Sequence, residues 1–194
     1  MREFLIIIQF IGIIGLFAQV LYLVNQRPSR QQMRLLVLMI ALLINLCGYM
    51  FEIQAYTFEQ ALQATKFSYL GKPISVLALF LFMMDYYKVK LPKWLPVVLA
   101  ILHIMVILFA LTCDMQNLFF SHIEYTTGGV FKHLVFGIGP VIAVYYSLVA
   151  VYVILVGAAC VRRFYGRIDG ENGRNLAAFY LYSDNDLGVG RVYI

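Results

Sequence analysis

The sequence predicts an all-α, polytopic transmembrane helical bundle with five full spans, a partial sixth, and its N-terminus outside. Three observations carry that expectation. Of 194 residues, 62% are hydrophobic and 13% charged, and the mean hydropathy is +0.82. A soluble domain of this size needs about a quarter of its residues charged to coat its surface, so the chain has the composition of an integral membrane protein. Five segments, 4–24, 34–53, 71–87, 94–113 and 134–161, are apolar and close to the about 20 residues that a membrane helix needs. The third observation is where the cations lie.

The net charge of +5 and pI near 9.1 suggest nucleic acid only until the positions are read. Arg27, Arg30 and Arg34 follow the first apolar segment, Lys88, Lys90 and Lys93 the third, and Arg162, Arg163, Arg167 and Arg174 the fifth. Arg2, Lys66, Lys72 and Lys132 fall on the opposite side of an alternating bundle, and Arg191 is in the tail. The richer side is expected to be cytoplasmic, which sets the N-terminus outside. No nucleic-acid partner is expected.

Taken in order, segment 4–24 resembles a signal peptide only in position. Its apolar run exceeds the about 7–15 residues of an h-region, and no small-x-small site follows. It reads as a retained helix. Helix two carries one polar stripe, Asn45, Gly48, Tyr49, Glu52 and Tyr56, expected to face the bundle interior because lipid solvates amide and carboxylate poorly. The link 57–67, TFEQALQATKF, opens with Thr57 and Gln60 in capping-box spacing and is expected to form a short helix on the membrane surface.

Helix three is expected to be interrupted near Gly71 and Pro73, since proline frees the carbonyl of Tyr69. Pro92 and Pro96 suit the start of helix four, where the first turn has no partner for those N–H groups. Gly139 and Pro140 are expected to break helix five, freeing the carbonyl of Phe136. The stretch 175–182, NLAAFYLY, reads as the start of a sixth helix. The domain expectation is a transmembrane sensory unit over 1–183 and a polar tail over 184–194, with the chain incomplete at its end.

The longer connections, 54–70 and 114–133, are the places to look for recognition. Glu52, Tyr56, Lys66, Tyr69 and Lys72 are expected to converge as a polar vestibule at the outer ends of helices two and three, with His133 and Tyr125 approaching from the second connection. A carboxylate beside ammonium groups keeps its charge, and together they orient a small zwitterionic or anionic ligand. A structural ion pair is the competing reading of Glu52 with Lys66 or Lys72, and both stay open.

His103 reads as a packing residue, and Asp85 as a partner of Lys88 or Arg34. His122, Glu124 and His133 have undistinguished spacing, so no metal is expected. Cys47, Cys113 and Cys160 read as small packing residues. No catalytic residues and no cofactor are expected, because no HExxH, GxSxG or GxxxxGK[ST] pattern is present.

The run GYMFEIQAYTFEQALQATKFSYLGKPISVLALFLFMMDYY, residues 48–87, has a Glu at the outer end of helix two, a Lys before Tyr-Leu-Gly, and a Pro opening an apolar helix. With PKWLP at 92–96, His103, and Gly139-Pro140 before Tyr145-Tyr146, it resembles the seven-helix N-terminal transmembrane sensory region of bacterial sensor histidine kinases. That region also precedes diguanylate cyclase domains. The resemblance covers roughly residues 1–180, and carries over Glu52, Lys66, Tyr69, Gly71 and Pro73. It implies a multi-pass input module of the cell membrane that senses an extracytoplasmic or membrane signal. It also implies a homodimer that relays to a cytoplasmic output domain of the parent protein. The chain as given holds neither a phospho-acceptor His box nor a GGDEF motif, so it is not expected to be an enzyme. A small transporter or channel is the alternative, for which Pro73 and Pro140 would be paired helix breaks in two repeats. A membrane-embedded enzyme comes third.

Overall fold

Two helices come closer together than ordinary side chains allow, and they set the frame. In the computed structural model, which describes residues 2–25, 29–126 and 133–186 (side chains to 164), the helices are α1 (Arg2–Val24), α2 (Arg30–Gln54), α3 (Phe58–Tyr86), α4 (Leu95–Leu111) and α5 (Pro140–Asp186). Between α4 and α5 lies a hairpin of β1 (Phe120–Thr126) and β2 (His133–Ile138). The 187–194 part of the tail, Gly128-Gly129, Arg27, Lys132 and Arg191 lie outside the described residues.

The α2–α3 pair is glycine-mediated from both sides. A Cβ on Gly48 would sit 2.5 Å from the Cα of Ser68. A Cβ on Gly71 would collide with the carbonyl oxygen of Ala41 and lie 2.7 Å from the Asn45 nitrogen. Small residues let backbones approach where lipid offers no hydrophobic drive for association. Between the two contacts, Ser68 Oγ donates to Asn45 Oδ1 at 2.6 Å, so the amide of the polar stripe is satisfied inside the pair. Gly71 is therefore a packing residue rather than a helix break. Pro73 is buried inside α3, which runs on through it.

α2 opens with a full capping box. Ser29 Oγ accepts from the Gln32 N–H at 3.3 Å, and Gln32 Oε1 accepts from the Ser29 N–H at 2.8 Å. Thr57 caps α3 by accepting from the Gln60 N–H, while Gln60 Oε1 accepts from the N–H of Tyr56 instead of Thr57. The link 57–67 is thus the first part of α3, not a separate surface helix. Ala61, Leu62 and Thr65 point into the protein, because the hairpin and α4 cover that side.

Among the described residues, four helices are long and apolar enough to cross a membrane by length and composition: α1, α2, α3 and, over Pro140–Phe164, α5. α4, expected as a full span over 94–113, has 17 residues and is about 25 Å long, short of the roughly 30 Å hydrocarbon core. Pro96 lies in its first turn as expected. The fifth helix starts later than 134, because 133–138 is strand. Pro140 is its first residue, where a missing N–H costs nothing, so neither Gly139 nor Pro140 breaks a helix. Gly139 instead lets its N–H reach Phe119 O at 3.1 Å, where any Cβ would strike that same carbonyl. No sixth helix starts at 175: that stretch continues α5, whose 47 residues span about 70 Å.

The core has two parts. Phe119, Phe120 and Leu134 of the hairpin region pack on Ala61, Leu62 and Tyr69 of α3, with Ala110, Cys113 and Ile142. Deeper in the bundle, Phe80, Met84, Leu99 and Tyr152 join α3, α4 and α5. His103 lies beside this second part, 1% exposed and stacked on Tyr152 with centroids 5.8 Å apart. Its Nδ1 donates to Leu99 O at 2.7 Å, as a packing histidine should.

Candidate functional site at the hairpin end

The residues expected to form one vestibule divide into two neighbouring groups. Lys66, buried on α3, pairs with Asp114, which follows α4, at 2.8 Å. That hydrogen bond holds the Asp114 carboxyl below the usual carboxylate range. Sequence reading missed Asp114. The signal was present, since Asp114 directly follows the apolar run ending at Cys113 and so lies at the membrane boundary with the buried Lys66. Lys66 and Tyr56 instead line a cavity of 1180 Å³ with Gln54, Glu59 and Gln63.

The second group keeps Glu52. Its carboxylate is half-buried near the end of α2, in the lining of one cavity with Tyr49 and His133. The Lys72 ammonium lies 4.9 Å from the Tyr49 ring centroid and 4.6 Å from that of Tyr69, a double cation–π contact that fixes its position. Tyr69, 5% exposed, is in turn held edge-on by Phe119 at 5.0 Å and Phe120 at 6.1 Å. Phe120 stacks on Phe136 of β2 at 4.2 Å. A continuous aromatic path therefore connects the ammonium to the hairpin.

Glu52, Tyr49 and His133 line a cavity of 750 Å³ with Leu5, Gln9 and Leu46. Its wall is apolar except for these few polar groups, the make-up of a small-molecule site. Gln9 Nε2 donates to Leu46 O at 3.0 Å and holds α1 against α2 at this wall. His133 pairs with Thr126 in the hairpin register, whose strands run antiparallel with an irregularity between Phe120 and Ile123. Among the described residues, no three His, Cys, Asp or Glu side chains gather as metal ligands, and Cys47, Cys113 and Cys160 are unbridged. Burial pushes the Cys113 thiol up.

At the opposite end, Arg34 bridges Asp85 at 2.6 Å and donates to Leu81 O at 2.9 Å, tying α2 to α3. This is one of the two partners expected for Asp85.

Fold and site together define a polytopic helical membrane protein with a half-buried polar cluster capped by a β-hairpin. The chain matches, over residues 5–181, the family described as the N-terminal 7TM region of histidine kinase, and it belongs to that family. No curated protein and no solved structure matches it. The region is an input module of such kinases and is not itself catalytic.

Proposed function

We propose that this chain senses a small molecule at the hairpin end and passes the signal along α5 to a cytoplasmic output domain. The observation that carries the reading is Glu52, half-buried in an apolar cavity between helices whose lining it shares with His133 and with Tyr49, the ring over which the Lys72 ammonium lies. A carboxylate in such a place has a desolvation cost that a purely structural helix end would avoid. The ligand that fits is amphipathic, with an apolar body between α1 and α2 and a polar head, zwitterionic or anionic, meeting Glu52, Lys72 and His133.

The sensory unit is residues 1–183, with the basic end toward the cytoplasm of a multi-pass cell-membrane protein. It acts as a homodimer, and the output is a histidine kinase in a two-component system, with diguanylate cyclase as the second candidate. The long α5 supports this, since it continues well beyond its apolar Pro140–Phe164 portion. The transporter reading relied on paired helix breaks. α3 is continuous through Pro73 and α5 begins at Pro140, so those two prolines form no such pair.

The test uses the complete parent protein in vesicles, with autophosphorylation measured across stimulus conditions. Glu52→Gln is expected to change the response while the protein still inserts. Wild-type output from a well-inserted Glu52→Gln protein would reduce the cluster to a structural role.

A further inference from the structure

A third cavity, of 650 Å³, lies at the basic end, where the α3–α4 connection meets α5. Lys88, Lys90, Arg162 and Arg163 line it with Tyr87, and among the described residues no carboxylate does. The nearby Asp85 is already engaged by Arg34. Like charges brought to one concavity repel, and among the described residues nothing in its lining offsets them.

Two of the four cations are held there by backbone geometry. α3 ends in a Schellman motif, with Val89 N–H donating to Met84 O at 2.9 Å and Lys88 N–H to Asp85 O at 3.0 Å. That motif puts Lys88 at φ 57°, a left-handed conformation that normally selects glycine. Arg163 donates to Tyr86 O and lies 5.4 Å from the Tyr86 ring centroid. The cleft therefore brings exposed cations of two elements, the α3–α4 connection and α5, to one place.

Its level in the membrane identifies what it meets. α3 ends at Tyr86, and the apolar run of α5 gives way to Arg162 and Arg163, one on each side of the cleft. Trp94, 63% exposed in the same connection, is the kind of aromatic that sits among headgroups. Apolar side chains of α4 and α5, among them Val97, Leu155 and Val161, are exposed to accept acyl chains.

We propose that this cleft binds a phosphate-bearing anion, supplied by the headgroup of an anionic phospholipid. The site is separate from the Glu52 cavity, so the two readings fail independently.

Trp94 is the single tryptophan and serves as the reporter. The whole chain is reconstituted in vesicles containing either brominated phosphatidylglycerol or brominated phosphatidylcholine at equal mole fraction. Brominated phosphatidylglycerol is expected to quench Trp94 more strongly. Lys90→Gln and Arg162→Gln should each cut that preference several-fold, and together roughly tenfold, as loss of two charges near the surface implies. Lys93→Gln, on the same connection but outside the cleft, should change it little. A preference that survives millimolar inorganic phosphate assigns the site to lipid, and one abolished by it assigns the site to soluble phosphate. Equal quenching by the two lipids overturns the proposal. So does an equal effect of Lys93→Gln and Lys90→Gln, which would mean diffuse attraction without a site.

Discussion

The two ends of the bundle use cations in opposite ways. At the hairpin end Lys66 is buried against Asp114, and Lys72 is laid over two tyrosine rings. There, aromatic packing from Tyr69 through Phe119, Phe120 and Phe136 supports the charges from below. At the basic end Arg34 and Arg163 reach for backbone carbonyls, while Lys88, Lys90 and Arg162 remain exposed. An end that internalises its charges has a defined arrangement for a ligand to disturb. The other, with its charges presented outward, is suited to the lipid surface.

Four substitutions or conditions break or sharpen that contrast. Phe119→Ala should have the largest effect, because Phe119 is fully buried beneath Tyr69. A loss of about 3–5 kcal/mol is expected, read by thermal unfolding in vesicles or mild detergent. A change within error there would mean that the hairpin does not support the site. Gly71→Ala comes next. Its methyl group would strike the Ala41 carbonyl, so the helices must separate at a cost of about 1–3 kcal/mol. Gly15, whose Cβ would meet nothing within 4 Å, supplies the control, and Gly15→Ala should not destabilise.

At the other end Lys88→Gly should stabilise by about 1 kcal/mol, since glycine adopts the left-handed conformation without the penalty that a Cβ brings. Destabilisation would place the value of Lys88 in its charge rather than its backbone. The smallest effect is that of acid on the hairpin end. The Asp114 carboxyl is held below its usual range by Lys66, so the folded state binds its proton less readily than the unfolded chain. Its contribution is fully present above the unfolded pKa of about 3.9 and is lost as pH falls through the lower, folded value. Melting temperature should therefore drop more steeply below about pH 4 in the wild type than in Asp114→Asn, and parallel acid curves would contradict the pair.

Much of the helical frame was legible in the sequence, because long apolar runs have few alternatives in a membrane. Part of the polar stripe on α2 was legible for the same reason: Asn45, Gly48 and Tyr49 do meet α3 or its side chains, whereas Tyr56, expected on the same inward face, lies past the end of α2 and is 66% exposed. The hairpin was not. Residues 134–138, LVFGI, are as apolar as the helix that follows, and a run that short does not distinguish strand from helix. Alternation in 121–125, SHIEY, and the Gly128-Gly129 pair beyond it were the signals available. The partner of Lys66 was equally hidden. Lys66 and Asp114 are 48 positions apart, and only the chain's return through α4 brings them together. Proline and glycine misled in a consistent way. The sequence pattern marks Gly71, Gly139 and Pro140 as breaks, whereas the first two permit close backbone approach and the third begins a helix.

The central claim is that Glu52 belongs with Lys72 and not with Lys66. Its most direct measurement is the pair of double-mutant coupling energies on stability, Glu52→Gln with Lys72→Met and Glu52→Gln with Lys66→Met, in the same vesicles. The first coupling should reach about 0.5 kcal/mol or more, and the second should be additive to within about 0.3–0.5 kcal/mol. A large coupling to Lys66 beside none to Lys72 would contradict the arrangement described for this site.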